Sequence, residues 1–76
     1  MNGSQFQIVY AGQIYVECGV DAKDAWERFC KKHPKWETAS YKLKTTAHAD
    51  WLEFAVYMSL KGCKYYVATV MQMPNN

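Results

Sequence analysis

The chain has 76 residues, half of them apolar and 16% aromatic, with a net charge of +2. A chain this short supports one domain with one small core, and its apolar content is too high for a disordered tail. So small a charge does not by itself imply a nucleic-acid partner, and no apolar run reaches the roughly 20 residues of a membrane-spanning helix.

The N-terminal residues Met1-Asn2-Gly3-Ser4-Gln5 lack the basic and apolar regions of a signal peptide. Asn2 after Met1 also removes the glycine that N-myristoylation needs. A cytoplasmic location is therefore expected. The polar ends, Met1–Ser4 and Pro74–Asn76, are expected to fray.

Gln5 to Cys18 is rich in Val, Ile, Tyr and Phe and is broken at Ala11-Gly12. It predicts either a hairpin with a two-residue turn or one long bulged strand. In the hairpin, Phe6, Ile8, Tyr10 and Tyr15 fall on one face, and Val9, Ile14, Val16 and Cys18 on the other.

A helix is predicted over 21–33. Asp21 supplies an N-cap acceptor, Asp24 sits near a capping-box position, and Pro34 stops the helix at about Lys32 or His33. Ala22, Ala25, Trp26, Phe29 and Cys30 form one apolar stripe. On the solvent side, Asp24 with Arg28 and Glu27 with Lys31 are spaced as ion pairs, and the order of acids before bases complements the helix dipole.

Three strands follow, over 41–47, 51–60 and 63–73, with Lys61-Gly62 as a two-residue turn. That turn pairs Leu60 with Cys63, Met58 with Tyr65, Val56 with Val67, Phe54 with Thr69 and Leu52 with Met71 on one face. A loop over 47–50 sets Leu43 opposite Phe54, Tyr41 opposite Val56 and Lys44 opposite Glu53. The elements together predict an α+β fold in the order β-β-α-β-β-β. One helix packs on one face of an antiparallel sheet of about 4–5 strands, as a single domain over 1–76.

One helix covers one face of such a sheet, and the other face should be polar. Here that face carries Trp51, Ala55, Tyr57, Tyr66, Ala68 and Val70, with Lys42, Lys44 and Lys64 among them. Unless the sheet curls around its own core, this surplus marks an interaction surface. Trp51, Tyr57 and Tyr66 are the candidate anchors, and Lys42, Lys44 and Lys64 the candidate rim. Three occupants fit: a protein or nucleoprotein partner, an unpaired nucleic-acid strand stacked on the aromatic rings, or a second copy in a face-to-face homodimer.

Residues with chemical potential are sparse. Cys30 with His33, or Cys63 with His48, could pair a thiol with a base, but no nucleophile motif surrounds either. Cys18, Cys30, Cys63, His33 and His48 lack the close spacing of zinc ligands apart from Cys30-x2-His33. Three cysteines make a poor disulfide framework and are expected to be reduced and mostly buried. The four glycines are scattered and form no phosphate-binding loop. No catalytic, metal or cofactor residue is assigned, and a non-enzymatic role is expected.

The segment Val16 to Leu43, with Ala25, Phe29, His33-Pro34 and then a strand, resembles a β-α-β pattern found among small phage proteins. The predicted single helix on an antiparallel sheet is also similar to that of some anti-CRISPR proteins. This resemblance, over the middle third of the chain, implies a stoichiometric inhibitor that binds a host effector complex in a bacterial cytoplasm. It is one of spacing, and no functional residue carries over.

Overall fold

The computed structural model describes residues 3–72 except Thr38. Five strands and one helix appear in the expected order: β1 (Ser4–Tyr10), β2 (Gln13–Gly19), α1 (Ala22–Lys32), β3 (Ser40–Ala47), β4 (Leu52–Leu60) and β5 (Cys63–Gln72). The fold is α+β, and all strand pairs are antiparallel. Ser4, expected to fray, begins β1 and pairs with Gly19. The other expected frayed positions, Met1, Asn2 and Pro74–Asn76, and the last predicted strand residue, Met73, lie outside the described residues, apart from Gly3, which precedes β1.

Both two-residue turns form. Ala11 and Gly12 have φ of 51° and 76°, and Lys61 and Gly62 have φ of 51° and 81°. Two consecutive positive φ angles define the type I′ turn, whose twist matches that of paired strands. Gly12 and Gly62 take the second central position without a Cβ clash. The hairpin over 4–19 thus prevails over the single long strand.

The helix starts where its side chains dictate. The Asp24 N–H donates to Asp21 Oδ1 at 2.8 Å, and the Val20 N–H donates to Asp24 Oδ2 at 3.0 Å. At the other end the His33 N–H donates to the Phe29 and Cys30 carbonyls, and His33 Nδ1–H donates to Phe29 O at 3.2 Å. Pro34 then opens a single 3-10 turn, Pro34–Trp36. Arg28 bonds Asp24 at 3.1 Å as its spacing predicts. The expected Glu27–Lys31 pair is replaced. The Tyr41 hydroxyl donates to Glu27 at 2.5 Å, and Lys23 lies 3.9 Å from the same carboxylate.

The sheet order is β2-β1-β5-β4-β3. The strand latest in sequence is therefore the middle one, and α1 with the 3-10 turn carries the chain from one sheet edge to the other. The helix packs chiefly on β2. Its stripe of Ala22, Ala25, Trp26, Phe29 and Cys30 meets Phe6, Ile8, Val56, Met58, Ala68 and Val70 to form the buried core. The Trp26 indole N–H is buried without a partner among the described residues. That costs about 1–3 kcal/mol, less than the roughly 4–6 kcal/mol from burying 150–250 Å² of ring surface.

The register departs from expectation within β4–β5. Leu60↔Cys63, Ser59↔Lys64, Met58↔Tyr65 and Tyr57↔Tyr66 pair as predicted, but a bulge follows between Val56 and Tyr57. Beyond it the partners are Val56↔Ala68, Ala55↔Thr69, Phe54↔Val70, Glu53↔Met71 and Leu52↔Gln72. Val67 is the extra residue. A bulge of one residue inverts every later side chain. Ala68 and Val70, expected on the open face, are therefore buried in the core. On β3 the partners are Leu43↔Val56, Tyr41↔Met58 and Lys44↔Ala55. That is a shift of two positions, which preserves the predicted faces, and Thr46 rather than Lys44 meets Glu53.

Candidate binding face

The face turned away from α1 is built from alternate residues of five strands. At one end it carries Lys42 and Lys44 from β3, Tyr57 and Ser59 from β4, and Lys64 and Tyr66 from β5. Tyr57 lies opposite Lys42 on one side and Tyr66 on the other, while Ser59 lies opposite Ser40 and Lys64. The two tyrosine rings meet edge to face, 5.8 Å between centroids at 65°. Tyr66 is 59% exposed.

The Val67 bulge fixes this arrangement. Tyr66 and Thr69 are three apart and would face opposite ways on a regular strand. With one residue extruded they share a face, and the Tyr66 hydroxyl hydrogen-bonds Thr69 Oγ1. That bond restrains the ring relative to the sheet. Beside Tyr57, an open groove of about 680 Å³ is lined on this face by Ser40, Lys42, Lys44, Ser59 and Lys64 and also reaches Tyr41, Leu43 and Met58, while Tyr66 stands outside its lining. Among the described residues, none of Lys42, Lys44 and Lys64 has an acidic partner. The groove thus combines an aromatic wall with three uncompensated cations.

Five of the six expected binding residues are brought together here. Trp51 is not. It sits just before β4, six residues from Tyr57 and near the opposite end of the strand. There it stacks on His48 at 4.0 Å and 12°, and His48 Nε2 lies 3.0 Å from Glu53 Oε1. Ser40, Ser59 and Thr69 complete the groove or hold its aromatic wall. Their residue types are ordinary in strands, and no signal in the sequence distinguishes them.

No protein-family model, curated protein or solved structure matches the chain. Geometry alone therefore bears on function.

The thiol–base candidates do not assemble. Cys30 is buried, and desolvation first, then Glu27 and Glu37, pushes its thiol up to about 11, so it stays protonated at neutral pH. His33 instead stacks on Phe29 at 4.1 Å and gives its Nδ1–H to the helix. Cys63 and His48 lie near opposite ends of β4. The expectation of mostly buried cysteines also fails: Cys18 and Cys63 are exposed. Cys18 falls on the open face of an edge strand, and Cys63 follows a surface turn. Among the described residues no three His, Cys, Asp or Glu side chains converge as metal ligands, and no helix is long and apolar enough to cross a membrane.

Proposed function

We propose that this protein is a non-enzymatic binding module that docks on a host protein or nucleoprotein complex in a bacterial cytoplasm. It acts there as a phage- or mobile-element-type inhibitor, by occupancy. The observation that carries this reading is the groove beside the Tyr57–Tyr66 pair, rimmed by Lys42, Lys44 and Lys64. Aromatic anchors ringed by cations suit a partner that inserts an apolar or aromatic side chain between acidic groups. Trp51, stacked on His48 at the far end of the face, is outside this anchor set.

The test is affinity capture from bacterial lysate with the full chain, comparing wild type with Tyr66→Ala, Tyr57→Ala and Lys42→Glu/Lys64→Glu. The expected result is one stoichiometric partner retained by wild type and lost by the variants, with unchanged circular dichroism. Truncating a tyrosine hot spot should weaken binding by more than about 1 kcal/mol. Equal capture by all folded variants would exclude this face.

The exposed Tyr66 ring beside three lysines also favours a second reading, an unpaired nucleic-acid strand stacked on the sheet. A salt titration with a single-stranded oligonucleotide separates the two. Nucleic-acid binding would weaken linearly on a log–log plot, with a slope set by the phosphates contacted. Absence of binding at low salt would remove this reading.

A further inference from the structure

The two edges of the sheet are built differently. Edge strand β3 carries Lys42 and Lys44, the sort of charge that blunts an edge against pairing with another chain. Edge strand β2, at the other side, carries no charge on its open face. It is seven residues long, contains no proline, and pairs with β1 without a bulge. Its exposed open-face residues are Ile14, Val16 and Cys18, with Ile14 66% and Val16 61% exposed. Its one charged residue, Glu17, points to the helix side, is 8% exposed and is neutralised by Lys32 at 3.0 Å.

The backbone makes the same three residues the free ones. In a two-residue hairpin the residues flanking the turn, here Tyr10 and Gln13, form a hydrogen-bonded pair. Alternation then commits Gln13, Tyr15, Glu17 and Gly19 to β1. The N–H and C=O groups of Ile14, Val16 and Cys18 are turned outward. Among the described residues these donors and acceptors have no strand partner, and such a row beside an apolar strip is complementary to one kind of object, another β-strand.

We infer that β2 pairs antiparallel with β2 of a second copy about a dyad at Val16, joining two five-stranded sheets edge to edge. Val16 then faces its own mate, and Ile14 faces Cys18 of the other chain, with about six interchain backbone hydrogen bonds. The register is self-complementary, as a twofold interface requires. Charge selects this edge. On its open face, β2 against β2 sets neutral residues against neutral residues, whereas β3 against β3 would bring lysines together. Of the nearby cations, Arg28 and Lys32 are each bound to an acid of their own chain, Asp24 and Glu17, which leaves Lys31 as the one without an ion pair among the described residues. This dimer leaves both groove faces open and on the same side of a continuous sheet, unlike a face-to-face pair.

The test is sedimentation equilibrium of the full chain over a range of concentration, with amide exchange followed residue by residue. Wild type is expected to show a reversible monomer–dimer equilibrium. Protection of the Ile14, Val16 and Cys18 amides should rise with concentration. Val16→Lys should weaken association at least about tenfold with unchanged circular dichroism, and the β-branched pair Ile14→Thr/Val16→Thr should act in the same direction. Tyr66→Ala should leave association intact, so failure here and failure of the groove are distinguishable. A strict monomer up to about 1 mM would overturn the inference. So would a dimer indifferent to Val16→Lys, one abolished by Tyr66→Ala, or one in which those three amides exchange freely.

Discussion

Gly19→Ala should destabilise the domain by an amount that the geometry sets. Gly19 is the last residue of β2 and lies under the first turn of α1. A Cβ built there would sit 2.7 Å from the Ala25 backbone N, 3.0 Å from Asp24 Oδ2 and 3.1 Å from Ala25 Cα. Ordinary contact begins near 3.4 Å, so the start of the helix would have to lift by about 0.7 Å. It cannot lift alone, because Trp26 and Phe29 on the same helix are locked in the core. Overpacking of this kind costs about 1–3 kcal/mol, and lost unfolded-chain entropy returns about 0.4–1 kcal/mol. The net loss is on the order of 1–2 kcal/mol, or a fall in Tm of roughly 5–15 °C for a domain of this size. Thermal and urea unfolding would measure it. Gly3→Ala is the control, since its new methyl meets only Gly19 O at 3.7 Å. A Gly19→Ala protein within about 0.5 kcal/mol of wild type would refute the close-approach argument.

Further outcomes follow from the ion pairs and the buried acids. Lys32→Ala should cost about 1–3 kcal/mol in urea unfolding, because it strands the buried Glu17 carboxylate, and Glu17→Gln in the same background should recover part of the loss. Stability should also fall on the alkaline side. Burial raises the Cys30 thiol from 9.0 to about 11, and burial with the Glu27 hydrogen bond raises the Tyr41 phenol above its ordinary value of 10.0. A raised folded-state pKa means that the unfolded chain loses its proton first. The stabilisation is thus complete below about pH 9 and is lost as pH rises through 9–11 for Cys30, by at most about 1.4 kcal/mol per pH unit. Tyr41 continues the decline at higher pH. Unfolding of Cys30→Ala and Tyr41→Phe across pH 8–12 should show flatter slopes than wild type; equal slopes would reject the assignment.

The helix, both hairpin turns and the faces of the first hairpin were legible in the sequence because each rests on local chemistry. Asp21 caps, Pro34 terminates, the apolar stripe is continuous, and each turn ends in glycine. The bulge at Val67 was not legible. Valine is an ordinary strand residue, and β5 is apolar in both alternations: Tyr65, Val67 and Met71 in one, Tyr66, Ala68 and Val70 in the other. Only packing against Ile8 and Phe54, which lie opposite Val70 on the two neighbouring strands, decides between them. That tertiary choice moved Ala68 and Val70 inward, yet it left Tyr57, Tyr66 and the three lysines on the expected side. For Trp51, strand alternation gives its side of the sheet but not its distance from the cluster, which is set by where β4 begins. The difference between the two sheet edges likewise appears only once strand order is known.

The central place of β5 has a consequence for how the protein comes into being. As the polypeptide emerges, the β1–β2 hairpin with its helix and the β3–β4 hairpin are both complete before their shared neighbour exists. Neither half has a finished sheet until Cys63–Gln72 slides between them and supplies hydrogen bonds to both sides. Biogenesis is therefore gated by the latest-made of these strands, and a nascent chain stalled before Cys63 would present two orphaned hairpins to chaperones and proteases.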